Sequence, residues 1–478
     1  DAQDQVKALE LETELTLKKV EVNQAFTQNL NAEVGATVEI AVEKQLVKVE
    51  EKKKKTTEDD VRDHLRGFAR TIPAFLMAYG TDTTTLATFE ENIDETTFEK
   101  LTSITITDFI KLRDGFEYSD EVGEHKIIPG LFNEVVFDAS IREFFNTKRR
   151  LSNYFDETLT EDIFDYIPPQ ETNQIFTPKE VVKVMCDLLQ ENCVGIFNSK
   201  EIKFIDLYTK SGLYITEIVK RLNEGLKHEI PDEIARIKWI LENQVYTVAP
   251  SNIIYNIAKN YIYGNFIEVS TDNIIECNLT DFASEGTVIE ILREEFGDDK
   301  LNFDVVIGNP PYQEETAKKA TTNGQKSVKN IFQNFQTEAD KLATQYVNLI
   351  YPGGRWIHRS GKGLKKFGYE QINDPRLEKI IFYPKANEVF RGVGIDDGIS
   401  IVLKNMKKTT DTFEYVYSEN GHKKAITITN PGEDLIPLNP SDKPILDKIN
   451  DFVNKNNLDY LSNSLFSPFS LLYICVTP

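Results

Sequence analysis

The stretch Phe303-Asp304-Val305-Val306-Ile307-Gly308-Asn309-Pro310-Pro311-Tyr312 decides how this chain is read. An apolar run of strand length passes straight into Asn-Pro-Pro-Tyr. Each proline fixes φ and removes an N–H donor. The residue before each proline is pushed to extended geometry. A stiff loop with outward-facing carbonyls results. The amide oxygen of Asn309 and the carbonyl of Pro310 can then accept both hydrogens of one –NH₂ group. That suits an amine whose lone pair is delocalised into an aromatic ring. Two acceptors draw its hydrogens out of the ring plane and localise the lone pair for nucleophilic attack. Tyr312 offers a flat face on which a base stacks. No tuned general base is required, because the proton can leave after the attack. The competing reading, a Pro-Pro turn closing a strand, is disfavoured by the apolar run before it and by the flanking Asn and Tyr.

Short β-rich runs surround this stretch. They are Phe204–Leu207, Val245–Val248, Trp356–His358, Lys379–Tyr383 and Ile399–Leu403, with helical patterns between most of them. Strands alternating with helices predict an α/β fold with a doubly wound, mostly parallel sheet. In such sheets ligands bind beyond the C-terminal strand ends, near the point where strand order reverses. Residues 412–430 alternate as a hairpin about Glu419-Asn420-Gly421. The tail from 440 reads as helical and then apolar. Residues 1–55 read as charged helix and linker, and 60–165 as helical with short breaks.

Composition narrows the classes. The 478 residues exceed one ordinary domain. No apolar run reaches the ~20 residues of a membrane helix, so no membrane partner is expected. Asp1-Ala2-Gln3-Asp4 is not a signal peptide, and the missing initiator Met fits a fragment or a trimmed chain. Cys186, Cys193, Cys277 and Cys475 lack metal or redox spacing, so they read as reduced thiols of a cytoplasmic protein without a metal site. A net charge of −22 opposes nonspecific attraction to a polyanion. It leaves room for one basic cleft: Lys341 to Tyr369 contains no acid, yet holds Lys341, Arg355, Arg359, Lys362, Lys365 and Lys366.

Asn-Pro-Pro-Tyr after such a strand resembles the motif of amino-group methyltransferases that use S-adenosyl-L-methionine. The flanking motifs resemble those of adenine-specific DNA methyltransferases of restriction-modification systems, the type fused in single-chain restriction enzymes. Asp206-Leu207-Tyr208-Thr209-Lys210-Ser211-Gly212 is similar to that family's cofactor-binding turn, departing from it at Leu207-Tyr208, where Pro and a small residue are usual. Gly212 would let the backbone approach a ligand closely. A helix after it would favour the cofactor's carboxylate. Phe176-Thr177-Pro178, with Thr177 as an N-cap and Pro178 at the first helical position, resembles the segment that lines the methionine end of the cofactor. Asp281-Phe282 resembles the pair that holds the cofactor's adenine, with a plain turn role for Asp281 as an equal alternative. Val248-Ala249-Pro250-Ser251 carries no acid for the ribose, and Glu242 is poorly placed, so the ribose contact stays unassigned.

Further along, Arg355-Trp356 and Gly361-Lys362-Gly363-Leu364 resemble the fifth strand and following loop of the same family. The basic window coincides with them, so phosphate contact through Arg355, Arg359, Lys362, Lys365 and Lys366 is implied. Phe390, in a block that includes Gly392-Val393-Gly394-Ile395, is a candidate for stacking on a flipped adenine, with a core role as its stronger alternative. Ser467-Pro468-Phe469-Ser470 resembles the start of a target-recognition region. Gly67-Phe68-Ala69-Arg70 resembles the helical coupler of large restriction enzymes. No phosphate-binding Gly-x-x-x-x-Gly-Lys-Ser/Thr occurs, so any helicase or nuclease would be a partner domain.

The resemblance therefore implies a helical coupler over 1–165, a Rossmann-like S-adenosylmethionine-dependent methyltransferase domain over 166–410, and a hairpin with a truncated recognition region over 411–478. The activity implied is methyl transfer to the exocyclic amino group of an adenine flipped from double-stranded DNA. Asn309, Pro310, Pro311 and Tyr312 would be catalytic. Phe176, Thr177, Pro178, Asp206, Ser211, Gly212, Asp281 and Phe282 would hold the cofactor. Two rivals stand beside this reading: a protein-glutamine or RNA methyltransferase, which shares Asn-Pro-Pro-Tyr, and a decayed module that binds DNA or couples other domains.

Overall fold

Long apolar runs without alternation mark strands buried on both faces, and amphipathic runs between them mark covering helices. The computed structural model describes residues 68–102, 104–119, 125–167, 176–266, 268–315, 328–360, 363–390, 394–432 and 434–458. Residues 1–67, Gly361-Lys362, Gly392-Val393 and the segment from 459 onward, with Ser467-Pro468-Phe469-Ser470 and Cys475, lie outside the described residues. The chain forms two units, each considered by itself.

The first unit holds the described residues up to Phe176, together with Lys210–Gly212 and Ala249–Val269. A helix over 68–78 joins helices Glu95–Thr102, Ile106–Asp114, Glu134–Leu151 and Asn252–Tyr263. Phenylalanines fill its core: Phe75 stacks on Phe89 with ring centres 4.2 Å apart, and Phe98 and Phe109 are fully buried. Thr105 and Asn133 cap their helices by accepting from Asp108 and Val136 N–H groups. The helical expectation for this region is met, and one of its breaks is an antiparallel pair, β1 (Gly115–Ser119) and β2 (His125–Pro129). Gly115 adopts φ 83° with ψ 173° at the end of its helix, a conformation that favours glycine, and from there the chain enters β1. Tyr261 donates to Asp162 Oδ2 at 2.9 Å, and Asn260 Nδ2 donates to the carbonyls of Met77 and Ala78 at 3.0 Å, tying the last helix to this unit.

The second unit is built on nine strands in the order β13-β12-β10-β11-β9-β6-β3-β4-β5. These are β3 (Phe204–Asp206), β4 (Val245–Ala249), β5 (Ile274–Glu276), β6 (Phe303–Gly308), β9 (Ala343–Pro352), β10 (Leu377–Tyr383), β11 (Ile399–Asn405), β12 (Thr412–Glu419) and β13 (His422–Thr429). A separate ribbon pairs β7 (Gln313–Glu315) with β8 (Val328–Asn330). β3 runs parallel to β4 and β6, and β6 parallel to β9. β11 is antiparallel to both β9 and β10, and β13 to β12, so the sheet is mixed around a parallel centre. The doubly wound, mostly parallel expectation is met. Chain order reverses between β3 and β6: β4 and β5 continue on one side, β6 and β9 on the other. That is the ligand-binding switch point of such sheets.

Two local expectations are corrected. Trp356–His358 is not a strand; Gly354–Ile357 is a helical turn, and the strand is the preceding run, β9. A side chain at Gly353 would meet the Phe382 ring at 2.8 Å, and the Arg355 N–H donates to Asp397 Oδ1 at 2.7 Å, so the chain is pulled off the sheet there. The helix expected to start with Thr177 as its cap is Lys179–Asn192, capped at Pro178 without a side-chain bond. The Thr177 hydroxyl is engaged elsewhere, by Asn309. The 412–430 hairpin is as expected: Asn420 and Gly421 take φ 50° and 77°, and Glu419 pairs with His422. Among the described residues, no helix is long and apolar enough to cross a membrane.

Candidate active site

At the switch point the ends of β3 and β6 nearly touch. Gly308 closes β6, and a Cβ placed on it would lie 2.4 Å from Asp206 Oδ1, the last residue of β3. Only glycine fits. Asp206 is buried; its Oδ1 accepts from the Tyr208 N–H at 3.1 Å and its carbonyl accepts from Thr247 Oγ1 at 3.3 Å. The motif strand's own acid, Asp304, does other work. It sits at the opposite end of β6 and accepts from Lys203 N, Thr344 Oγ1 and Gln345 Nε2, fastening the base of the strand.

Beyond Gly308, Asn309, Pro310 and Pro311 are buried and Tyr312 is half-buried. Asn309 Nδ2 donates to Thr177 Oγ1 at 3.1 Å. Its Oδ1, although buried, finds no donor among the described residues. An unmet buried acceptor costs about 1–3 kcal/mol, a cost that the prolines hold in place by denying the loop other conformations. Tyr312 packs against the sheet's core, and its carbonyl accepts from the Ile331 N–H at 3.1 Å. Burial pushes the Tyr312 hydroxyl far above the ordinary phenol range, only partly offset by the neighbouring Asn309. The ring is therefore neutral at any working pH.

Thr177, Asp206, Asn309 and Tyr312 share this unit and this end of the sheet. Tyr214, quoted inside the glycine-turn motif but given no role from sequence, belongs with them. It is buried, with Thr177, Asp206 and Tyr312 as its electrostatic neighbours, and its hydroxyl donates to Met185 Sδ at 3.2 Å. Its apolar flanks, Leu213 and Ile215, hid it as a core tyrosine. Leu207, the departure next to Asp206, is buried in the core, and Tyr208 meets the Phe335 ring edge-to-face at 5.9 Å. Asp281 stands exposed in the first turn of helix Thr280–Glu285, while Phe282 packs against the core. Glu242 accepts from the Ser270 N–H at 2.9 Å, which occupies one of its oxygens.

Phe176, Ser211 and Gly212 fall in the first unit. Phe176 packs on Phe164, ring centres 4.9 Å apart. Gly212 takes φ 88°, and a Cβ there would meet Ile262 at 2.8 Å, so conformation and space both demand glycine. In the basic window Arg355, Lys365 and Lys366 are exposed, and Lys362 lies outside the described residues. Arg359 differs: it is buried at φ 51°, donates to the Asp434 carbonyl at 2.9 Å and lies over the Tyr369 ring at 5.2 Å. Phe390 is buried, with 2 % of its surface exposed.

Comparison with known proteins finds methylases that this chain is similar to. Residues 243–390 match the Eco57I restriction-modification methylase family. An uncharacterized adenine-specific methylase from Mycoplasma pneumoniae is 24% identical over 302 residues, 51% of this chain and 70% of its own length. Similar solved structures include a DrdV–DNA complex (TM-score 0.44, 13% identity), covering 84% of this chain and 42% of that one. Another is a nuclease-deletion mutant of the Type ISP restriction-modification enzyme LlaGI with a DNA substrate mimic (TM-score 0.44, 12% identity, 85% and 36% covered). A third is a modification subunit of a putative type I restriction enzyme from Vibrio vulnificus (TM-score 0.40, 13% identity, 88% and 90% covered). The chain thus spans less than half the length of DrdV and LlaGI. The resemblance to restriction-modification adenine methylases that the motifs carry is met by the family match and by the methylase relative.

Proposed function

We propose that this chain transfers a methyl group from S-adenosylmethionine to the exocyclic amino group of adenine in double-stranded DNA, as the modification part of a restriction-modification enzyme. The observation that carries the reading is the buried, donor-less oxygen of Asn309 on a proline-locked loop at the switch point. A buried acceptor kept unmet is matched to a donor that arrives with the substrate.

The residues suit the cofactor on their own chemistry. Gly308 keeps the backbone bare beside Asp206, and Thr177 borders Asn309. Thr177, Pro178, Asp206, Asp281 and Phe282 would hold the cofactor; Phe176, Ser211 and Gly212 carry that role on their motif alone. S-adenosylmethionine, when bound, supplies an electrophilic methyl group on a sulfonium. The chain's own part is positioning. Asn309 Oδ1 and the Pro310 carbonyl accept the two amino hydrogens, drawing them out of the ring plane and localising the lone pair on nitrogen. The neutral Tyr312 ring stacks on the base. Arg355, Lys362, Lys365 and Lys366 meet phosphates, and Arg359 braces the loop between them from inside. Phe390 belongs to the core of this reading and not to the base. Helicase or nuclease partner domains and a cytoplasmic location accord with the longer restriction enzymes it resembles.

The test is incorporation of labelled methyl groups into duplex DNA by the chain joined to its recognition region. Loss of one preorganised polar contact costs on the order of 10²–10³ in rate, so Asn309→Ala should lose at least a hundredfold in kcat while still binding cofactor. Undiminished methylation by Asn309→Ala would refute the proposal. Label entering protein or RNA in preference to DNA would move the substrate to the rival class. Absence of calorimetric heat with S-adenosylmethionine would favour a decayed module.

A further inference from the structure

We infer that Asn348, inside β9, is a positioning residue that sets where helix Lys179–Asn192 delivers Thr177 to the Asn309 amide. The inference deepens the reading of Asn309 given above and rests on it. Asn348 is fully buried in a strand whose neighbours Val347, Leu349 and Ile350 are apolar. Its Nδ2 donates to the Met185 carbonyl at 2.7 Å, while its Oδ1 finds no donor among the described residues. Met185 lies inside the helix, so its carbonyl already has the N–H four residues on as a partner. The helix does not need the bond, and an apolar side chain would spare the strand a buried oxygen. Tyr346 makes the contrast. Its hydroxyl donates at 2.9 Å to the carbonyl of Asn192, the last residue of the same helix, which has no partner within it. Tyr346 caps a helix end, whereas Asn348 grips a helix middle.

What the grip fixes is position along the helix axis. The helix buries Val182, Met185, Cys186, Leu188 and Leu189, and such apolar contact is not directional. It holds the helix down without choosing where along its length it stops. A hydrogen bond from a strand to one carbonyl does choose. β9 runs parallel to β6 with Asn348 beside Ile307, so Asn309, two residues on, belongs to the same face as Asn348. Each amide gives its nitrogen end to the same segment, Asn348 to Met185 and Asn309 to Thr177 Oγ1 at 3.1 Å. The two points of attachment are rigidly joined. Met185 lies about two turns into the helix. Thr177 adjoins its start, where the Pro178 carbonyl accepts from the Val181 and Val182 N–H groups at 3.0 and 3.1 Å and the proline ring holds φ at −58°. A shift of the helix at Met185 therefore arrives at Thr177, and the bond that holds the Asn309 amide is stretched. All these residues belong to the second unit.

Asn348→Val, with a side chain at home in a buried strand, removes the bond and the unmet oxygen together. It is measured in the full chain labelled with ¹⁵N-asparagine, the Asn309 side-chain signals being assigned by their loss in Asn309→Asp. Hydrogen exchange of the Asn309 amide should quicken about fivefold or more, and kcat for methyl transfer should fall about fivefold. Tm should hold or rise, which the loss of a merely structural contact would not give. In a Thr177→Val background, where the bond to Asn309 is already gone, Asn348→Val should lower the rate by less than about twofold further. Tyr346→Phe is the control: it should lower Tm and leave Asn309 exchange unchanged. Unchanged Asn309 exchange in Asn348→Val overturns the inference. So does a rate that falls only in step with Tm, a full additional loss in the Thr177→Val background, or quickened Asn309 exchange in Tyr346→Phe. Should Asn348→Val fail to fold, Asn348→Ala removes the same bond without added bulk, and its Asn309 exchange and its cycle with Thr177→Val decide. A wild-type chain that methylates no DNA would sink the proposed function, while Asn309 exchange would still decide on Asn348.

Discussion

Replacing Gly308 by alanine puts the switch-point geometry under direct stress. The added methyl would sit 2.4 Å from Asp206 Oδ1 and 3.2 Å from its Cγ. An ordinary contact between such atoms is roughly 1 Å longer than the first of these, so the carboxylate must swing away. Asp206 is 2 % exposed and has little room to do so. Moving it gives up the bond from the Tyr208 N–H, worth about 1.5–3 kcal/mol to a charged acceptor. Overpacking the strand ends adds about 1–3 kcal/mol. The total, roughly 2–6 kcal/mol, corresponds to a Tm loss on the order of 10 °C for a unit of this size. Thermal unfolding and calorimetric titration with S-adenosylmethionine check it, and cofactor affinity should drop at least tenfold because Asp206 is displaced. Gly394→Ala is the control: nothing lies within 4 Å of its would-be Cβ. If Gly308→Ala melts within a degree or two of that control and binds cofactor normally, the argument that β3 and β6 form one tight site is wrong.

Further outcomes follow from other parts of the molecule. Lys404 is fully buried between Asp340 at 2.6 Å and Asp374 at 2.8 Å, so Lys404→Met should cost about 3–5 kcal/mol by removing the buried cation the two acids share, read by chemical denaturation. Burial alone would raise the Asp374 pKa, but the bonds from Arg376 and the charge of Lys404 outweigh it and hold the carboxyl well below its ordinary range. Its folded pKa is depressed, so the stability it lends is complete above about pH 4 and is lost as pH falls further. Lys404→Met should move acid unfolding to higher pH, and an unchanged acid limb would contradict this. Lys365→Glu with Lys366→Glu should weaken DNA binding and lower the salt slope by about 2 without moving Tm, whereas Arg359→Ala should lower Tm first. Tyr312→Phe should keep near-normal KM for DNA, while Tyr312→Ala should lose stacking worth about 1–3 kcal/mol, seen as a rise in KM of about fivefold or more.

The site was legible in the sequence where covalent chemistry dictates conformation. Pro310 and Pro311 stiffen whatever loop contains them, and the apolar run before them, broken only by Asp304, reads as an inner strand. Asn420-Gly421 likewise admits a left-handed turn in any context. What failed to show was decided by neighbours distant in sequence. Trp356 has the composition of a strand residue, but Gly353 against Phe382 and the Asp397 carboxylate turn the chain into a helix there. Arg359 sits among phosphate-seeking residues and is nonetheless folded inward onto Tyr369 and Asp434. Thr177 reads as a helix cap until Asn309, 132 positions away, claims its hydroxyl.

By itself the sequence determined several inner strands, the stiff Asn-Pro-Pro-Tyr loop and the glycines at its approaches, because φ restriction and apolar periodicity act between near neighbours. Only the tertiary structure decided that Gly308 must be bare because Asp206 stands against it, and that the Thr177 hydroxyl meets the Asn309 amide. Those facts depend on which strand lies beside which. Strand order is set by the packing of the whole sheet, which no local run of residues encodes.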